Sequence, residues 1–311
     1  VELDPVIILT GPTAVGKTKL SIELAKRLNA EIISADSMQI YKYMDIGSAK
    51  ITEQEMDGVK HHLIDIVNPD QEFSVSDFKE IAEKKIKDIQ DRGNAVIITG
   101  GTGLYLNSII YDMDFGETKS DEGLRKELSD ILEEKGKNHL HNMLKDLSPE
   151  SAKRIHPNNT NRVIRAIEVY KLGGEMKDFS RDLKMNKNIN SKIIVLSRDR
   201  EVLYERINKR VEIMLEQGLI DEVKSLVNMG YTKELTSMKA IGYKEIIEYI
   251  EGNISLEDAI DKVKQNSRRY AKRQITWFKK YNTALQLDLD NIQSVEKQID
   301  EINVFIDQKN I

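Results

Sequence analysis

The residues with the clearest chemical potential lie near the start of the chain: Gly11, Pro12, Thr13, Ala14, Val15, Gly16, Lys17 and Thr18 fit the pattern G-x-x-x-x-G-K-[ST]. Two glycines at that spacing permit a tight loop whose backbone N–H groups converge on phosphate oxygens, and a helix starting at Lys17 adds its positive end. Lys17 offers a point charge to a diphosphate or triphosphate, and Thr18 a hydroxyl to Mg²⁺. The pattern specifies a phosphate cradle and leaves the reaction open. A second candidate is Asp36, which follows the apolar stretch from Glu31 to Ala35. Ligands of parallel α/β sheets gather at strand carboxyl ends, so this carboxylate is expected to face whatever lies across from the phosphates; an ordinary helix cap is its alternative role. The later apolar run from Ala95 to Thr99 enters Gly100-Gly101-Thr102-Gly103, where nucleotide hydrolases carry a metal-holding aspartate, and this argues against an ATPase or GTPase motor.

These groups need elements to hold them. Pro5 to Thr10, Glu31 to Ala35, Ala95 to Thr99 and Lys192 to Ser197 read as buried strands, with His62 to Val67 as a possible further one. Lys17 to Leu28 reads as a helix, and Ser74 to Arg92 as another, opened by a capping box from Ser74 to Asp77 and closed by Gly93. The alternation predicts an α/β fold: a P-loop NTPase-like parallel sheet flanked by helices. From Asp121 to Leu172 the pattern turns wholly helical, predicting an all-helical insertion domain. The expected division is 1–118 for the first part of the core, 119–190 for the insertion and 191–311 for the second part. Helices are also expected over Asp199 to Gln217, Leu219 to Met229, Tyr243 to Ile250 and Ser255 to Lys280, while Ser294 to Ile311 shows no decisive pattern.

Composition narrows the class. With 311 residues, 40% hydrophobic and 32% charged, the chain suits about two globular domains and excludes collagen-like and disordered classes. No stretch approaches the roughly 18 apolar residues of a membrane span, and no basic-then-apolar signal opens the chain. Zero Cys removes disulfides and thiolate zinc sites and fits a cytoplasmic location, and His61 and His62 lack partners at ligand spacing. The net charge of −5 conceals a local excess: Lys262, Lys264, Arg268, Arg269, Lys272, Arg273, Lys279 and Lys280 stand with no acidic residue among them. A basic stripe on an acidic protein predicts a directed contact with a polyanion.

Several segments together resemble the bacterial tRNA dimethylallyltransferase family: GPTAVGKT (11–18), ISADSMQIYKYMDIGSAK (33–50), HHLIDIVNPDQEFSVSDF (61–78), GGTGLYLNSII (100–110), RIHPNNTNRVIRAIEVY (154–170), SMKAIGYKE (237–245) and AKRQITWFKKY (271–281). The resemblance implies that dimethylallyl diphosphate occupies the cradle and that its prenyl group passes to N6 of adenosine 37, beside the anticodon, in tRNAs reading codons that start with U. It implies Asp36 as general base, a role worth about 10² to 10⁴ in rate. It further implies that Lys17, Thr18 with Mg²⁺ as cofactor, and Arg210 stabilise the departing diphosphate, with Thr13 in the cradle. For the tRNA anticodon stem-loop it implies Asp36, Ser37, Met38, Gln39, Thr102, Arg125, Asn161, Arg162, Val163, Ile164, Arg165, Lys239, Ala240, Ile241, Gly242, Tyr243 and Lys244. Gln39 suits the adenine edge, and Arg269 and Arg273 suit phosphates. Lys239 and Lys244, where the family often has arginine, suit phosphate rather than base edges. Trp277 is better read as a core anchor than as a base-stacking ring. The absence of Cys sets the chain apart from eukaryotic relatives with a zinc-binding extension, and a monomer is expected.

Three rivals share part of the pattern. A small-molecule kinase explains the cradle and the insertion but not the basic stripe. A prenyltransferase for free adenine nucleotides needs no polyanion surface. A non-catalytic RNA-binding module has no use for Asp36, Lys17 and Thr18 together.

Overall fold

The computed structural model describes residues 4–116, 121–177, 179, 183–292 and 294–308. The strands are β1 (Val6–Thr10), β2 (Ala30–Ser34), β3 (His61–His62), β4 (Ala95–Gly100), β5 (Ser191–Ser197) and β6 (Leu285–Asp288). The helices are α1 (Lys17–Leu28), α2 (Glu53–Met56), α3 (Val75–Asp91), α4 (Gly103–Ile110), α5 (Glu122–Leu147), α6 (Pro149–Arg154), α7 (Thr160–Lys171), α8 (Arg200–Glu216), α9 (Leu219–Asn228), α10 (Tyr243–Ile250), α11 (Leu256–Phe278) and α12 (Val295–Asp307). Among the described residues, no helix is long and apolar enough to cross a membrane.

The strands make one parallel six-stranded sheet in the order β3-β2-β4-β1-β5-β6. Its centre is apolar on both sides because helices cover both faces. Alternation sorts the residues: Ile7, Leu9, Ile32, Ile97, Ile194 and Leu196 pack with Leu20 and Leu24 of α1, Leu203 and Ile207 of α8, and Ile299 and Ile302 of α12. The opposite face sets Val6, Ile8, Ile33, Val96, Ile98 and Val195 against Phe78, Ala82 and Ile86 of α3 and Leu106 and Ile109 of α4. Each such side chain contributes about 1.5 to 3 kcal/mol by leaving water; a charge at Ile8, which is fully buried, would break this layer.

Local signals place several boundaries. In α3, the Ser74 hydroxyl accepts from the Asp77 amide at 3.2 Å and the Asp77 carboxylate accepts from the Ser74 amide at 2.8 Å, the expected reciprocal cap. Gly93, at φ 77°, lies just past the helix end. The third strand is much shorter than the 62–67 stretch, because Leu63 and Asp65 take positive φ and leave the extended conformation. Val67 keeps only a single bridge to Tyr41. The tail without a decisive pattern forms α12, and β6 is an edge strand where no strand was expected.

The chain divides into two compact units, Val1–Tyr111 with Met185–Ile311, and Asp112–Lys184. The division falls at 112 and 184 rather than at 119 and 190, because Tyr111 bridges Met185 and the Asn186 amide donates to the Ile110 carbonyl. Residues 185–190 thus lead into β5 within the larger unit. In the second unit, Leu128, Leu140 and Leu144 of α5 pack with Ala152, Val163, Ala166 and Ile167. Gly136 interrupts α5 at φ 78°.

Candidate functional site

The loop from Gly11 to Gly16 joins β1 to α1, and its turn depends on glycine. Gly11 has φ 152°, and a Cβ there would lie 2.6 Å from the Leu196 carbonyl oxygen; Gly16 has φ 119°. Side chains hold the loop's carbonyls. The Lys17 ammonium donates to the Gly11 and Pro12 carbonyls at 2.9 Å each. Arg206 donates from Nε to the Ala14 carbonyl, and Arg198 from Nε to the Val15 carbonyl, both at 2.8 Å. A trans peptide points C=O and the following N–H in opposite directions, so anchoring the Val15 carbonyl at Arg198 turns the Gly16 N–H the other way. The first amides of α1 also lack intrahelical acceptors. The loop therefore offers donors to an anion, with the exposed Thr18 on the first helical turn.

Asp36 stands two residues beyond β2, partly exposed, and its Oδ1 accepts from the Met38 amide at 2.9 Å. Two close approaches fix its neighbourhood. The Ala35 amide donates to Thr99 and the Thr102 amide to Ala35. A Cβ at Gly100 would lie 2.1 Å from the Ala35 oxygen, so only glycine fits there. Thr102 Oγ1 accepts from the Ser37 amide at 3.0 Å. Arg210, on α8, donates to the Ala49 carbonyl at 3.4 Å. Burial, then the Arg210 charge, lowers the Lys17 ammonium to about 8, with Asp36 opposing. Burial likewise lowers Arg210, again opposed by Asp36. Lys17 at the start of α1 and Arg210 on α8 thus both feel the charge of Asp36, the carboxylate beyond the end of β2.

The segment after Asp36 is held by groups absent from the sequence reading. The Glu222 carboxylate accepts from the amides of Asp45, Ile46 and Gly47 at 2.9, 2.7 and 3.0 Å and from the Tyr243 hydroxyl at 2.7 Å. Gly47 lies under the Tyr243 ring, where a Cβ would come within 2.5 Å. Burial, then the Glu222 charge, raises the Tyr243 hydroxyl. The Gln39 amide nitrogen donates to Ala49 at 3.2 Å and its oxygen accepts from Ser34 at 3.2 Å, so in this structure Gln39 braces its own loop rather than presenting a free amide to a base.

The expected tRNA contacts divide by exposure. Lys239 and Lys244 are exposed, Ala240 and Ile241 are half-buried, and Gly242 and Tyr243 are buried. The buried Tyr243 corrects its expected role as a contact: its ring packs in the core of Ile40, Met44, Leu219 and Ile246. Arg269 and Arg273 of α11 are exposed, and the Arg273 guanidinium lies 5.6 Å from the Tyr270 ring centre. By contrast Lys262 pairs with Glu248, Lys264 with Glu212, and Arg268 with Asn208, so part of the basic stripe serves the fold. Trp277 packs against Gly103, as its anchoring role requires. In the second unit, Asn161 and Arg162 are exposed, Ile164 is half-buried, and Val163 is buried and cannot be a surface contact. Arg125 and Arg165 both pair with the fully buried Glu168, at 3.0 and 2.5 Å. The Arg125 pair joins α5 to α7, while the Arg165 pair lies within α7.

Gln274 and Tyr270 belong to the site and were passed over. Gln274 shares the inward face of α11 with Ala271 and Phe278; an amide on an apolar stripe is the signal that could have found it, since buried polar groups need partners.

A family model described as IPP transferase matches residues 39–281, most of the chain. A tRNA dimethylallyltransferase of Clostridioides difficile (strain 630) is 59% identical over 302 residues, 97% of either chain. The crystal structure of a full-length tRNA isopentenylpyrophosphate transferase from Bacillus halodurans aligns with a TM-score of 0.73 at 46% identity, covering 98% of this chain and 97% of that one. A eukaryotic dimethylallyltransferase, solved in snapshots of its action on tRNA, aligns with a TM-score of 0.80 at 31% identity over 99% of this chain and 81% of that one. With the site on a sheet of this topology and such relatives over nearly its whole length, the chain belongs to the IPP transferase family and is a prenyltransferase.

Proposed function

We propose that the protein transfers the dimethylallyl group of dimethylallyl diphosphate to N6 of adenosine 37 in tRNAs that read codons starting with U. The observation that carries this reading is that the glycine-dependent loop after β1 and Asp36 after β2 lie at the carboxyl ends of strands that flank β4, with Lys17 and Arg210 both feeling the Asp36 charge. Adenine N6 is a weak nucleophile, because its lone pair is delocalised into the ring. As N6 attacks the allylic carbon, the N–C bond forms, the allylic C–O bond breaks, and Asp36 takes the N6 proton, a contribution of about 10² to 10⁴. Negative charge grows on the leaving oxygens, where Lys17, Arg210 and the loop amides stabilise it. Excluding water protects the allylic cation character of the transition state.

Mg²⁺ fits as a partner of the substrate rather than of a protein cage. Among the described residues, no group of three His, Cys, Asp or Glu side chains could hold a metal. Mg²⁺ commonly binds through substrate phosphates, waters and one or two protein oxygens, and the exposed Thr18 hydroxyl on the first turn of α1 suits that role. When bound it would neutralise diphosphate charge.

A loop adenosine must leave its stack for N6 to be reached, and single-stranded anticodon loops make that cheap. In the larger unit we assign tRNA contact to the exposed Arg269, Arg273, Lys239 and Lys244; in the smaller unit, taken by itself, Asn161 and Arg162 are the exposed candidates. The protein is taken to act as a cytoplasmic monomer. The test supplies radiolabelled dimethylallyl diphosphate and Mg²⁺ with unmodified tRNA or with AMP. Label in tRNA at the adenosine beside the anticodon supports the reading. Label in AMP alone replaces it with the free-nucleotide enzyme, and label in neither, with phosphate transfer from ATP, replaces it with a kinase.

A further inference from the structure

Gln274 is buried to 4% exposure, and both ends of its amide are engaged. Its Oε1 accepts from the Thr13 amide at 2.8 Å, and its Nε2 donates to the Gly101 carbonyl at 3.0 Å. Those contacts lie 261 and 173 residues away in sequence and join two loops that share no direct role. Thr13 belongs to the diphosphate loop, and Gly101 precedes Thr102, whose hydroxyl receives the Ser37 amide next to Asp36. Tyr270, one turn earlier on α11, adds a longer contact from its hydroxyl to Gly101 at 3.4 Å and also meets Thr102 and Gln274. The fit is tight, because a Cβ at Gly101 would lie 2.2 Å from Gln274 Nε2.

Two consequences follow from this geometry. The Thr13 N–H donates to Gln274 and the Val15 N–H to the Pro12 carbonyl, so these amides hold the loop in place and leave the Gly16 amide and the α1 terminus to an anion. An amide also satisfies both demands at once: a carboxylate could accept from Thr13 but could not donate to Gly101, and an apolar side chain could do neither. We propose that Gln274 is a positioning residue for prenyl transfer, fixing the distance between the loop that holds the diphosphate and the loop that supports Asp36 through Thr102 and Ser37. The proposal rests on the transferase reading above. It assigns Gln274 no contact with the reacting atoms; it acts through the alignment of donor and acceptor, where a displacement of about 1 Å can lower a rate on the order of 10²-fold.

The test measures kcat and both KM values for the wild type, Gln274→Leu and Gln274→Glu, with separate binding of tRNA and donor and a thermal melt for each. For Gln274→Leu, kcat should fall by about 10-fold to 10²-fold while each KM stays within about threefold. Gln274→Glu keeps the size and the Thr13 contact, and regains a donor toward Gly101 only when protonated. Its kcat relative to wild type should therefore rise as pH is lowered, a profile that a purely structural role would not produce, and it serves as the test if the Leu variant does not fold. Wild-type kcat in both variants would overturn the proposal, as would a loss confined to donor KM or to melting temperature, or a Glu deficit flat with pH. Transfer to AMP alone by the wild type would instead refute the tRNA reading, and the strut would be judged by the same ratios on that acceptor.

Discussion

Lys17 gives the sharpest prediction, because its ammonium is lowered to about 8 by burial and by Arg210. A group titrating near 8 is about nine-tenths protonated at pH 7 and about one-tenth at pH 9. The diphosphate needs the charged form, so donor binding should weaken as pH rises through the lysine's titration. The loss should be about tenfold between pH 7 and pH 9, or about 1.4 kcal/mol, and should approach tenfold for each further unit. An unshifted lysine near 10.4 would leave affinity flat over that window. The assay is calorimetric binding of dimethylallyl diphosphate across the range, with Lys17→Arg and Lys17→Met beside the wild type. The guanidinium stays charged, so Lys17→Arg should lose the pH step, and Lys17→Met should bind weakly at every pH. A flat wild-type profile, with Lys17→Met still weak, would refute the argument that burial and Arg210 depress this ammonium.

The other predictions address separate parts of the molecule. Asp36→Ala should keep tRNA binding nearly intact while turnover falls by at least about 10², read by single-turnover label transfer; lost binding with unchanged turnover would remove Asp36 from the proton-accepting role. Charge reversal at Arg269 and Arg273 should weaken tRNA affinity and reduce the slope of log affinity against log salt by about two, read by filter binding, and an unchanged slope would return both residues to solvent. Glu31 tests the opposite end of the sheet. Its burial favours the neutral acid, but hydrogen bonds from Arg92, His62 and Asn94 overcome this and hold the carboxyl at about 2, below its ordinary 4.5. A depressed carboxyl contributes stability that is full above about pH 4.5 and lost as pH falls toward about 2, here about 2 to 3 kcal/mol after allowance for solvent at Arg92. Urea unfolding of Glu31→Gln should show a smaller acid loss than wild type between those values.

Much of the framework was legible because it depends on local chemistry. Runs such as Val6–Thr10 and Ala95–Gly100 are apolar without interruption, which only a strand covered on both faces tolerates. The spacing of Gly11, Gly16, Lys17 and Thr18 set the turn and the donors, and Ser74 with Asp77 set a helix start. The short β3 was not legible, because positive φ at Leu63 and Asp65 carries no residue signal. Nor was α12, whose Ile299 and Ile302 gain their meaning from the face they meet beside α1.

The site divides the same way. By itself the sequence determined the phosphate-type loop, the acidic residue after the second strand and the basic stripe, since each rests on residue type at short spacing. Tertiary structure alone decided which of the candidates are free to act. Glu168 draws Arg125 and Arg165 into an ion-pair network, Glu222 engages Tyr243, and three of the stripe's cations find partners within the protein. It also decided that Gln274, distant in sequence from both loops it joins, lies between them. The physical reason is range: backbone turns and helix caps are satisfied within a few residues, whereas a buried amide or carboxylate must find its partners wherever the packed core brings them.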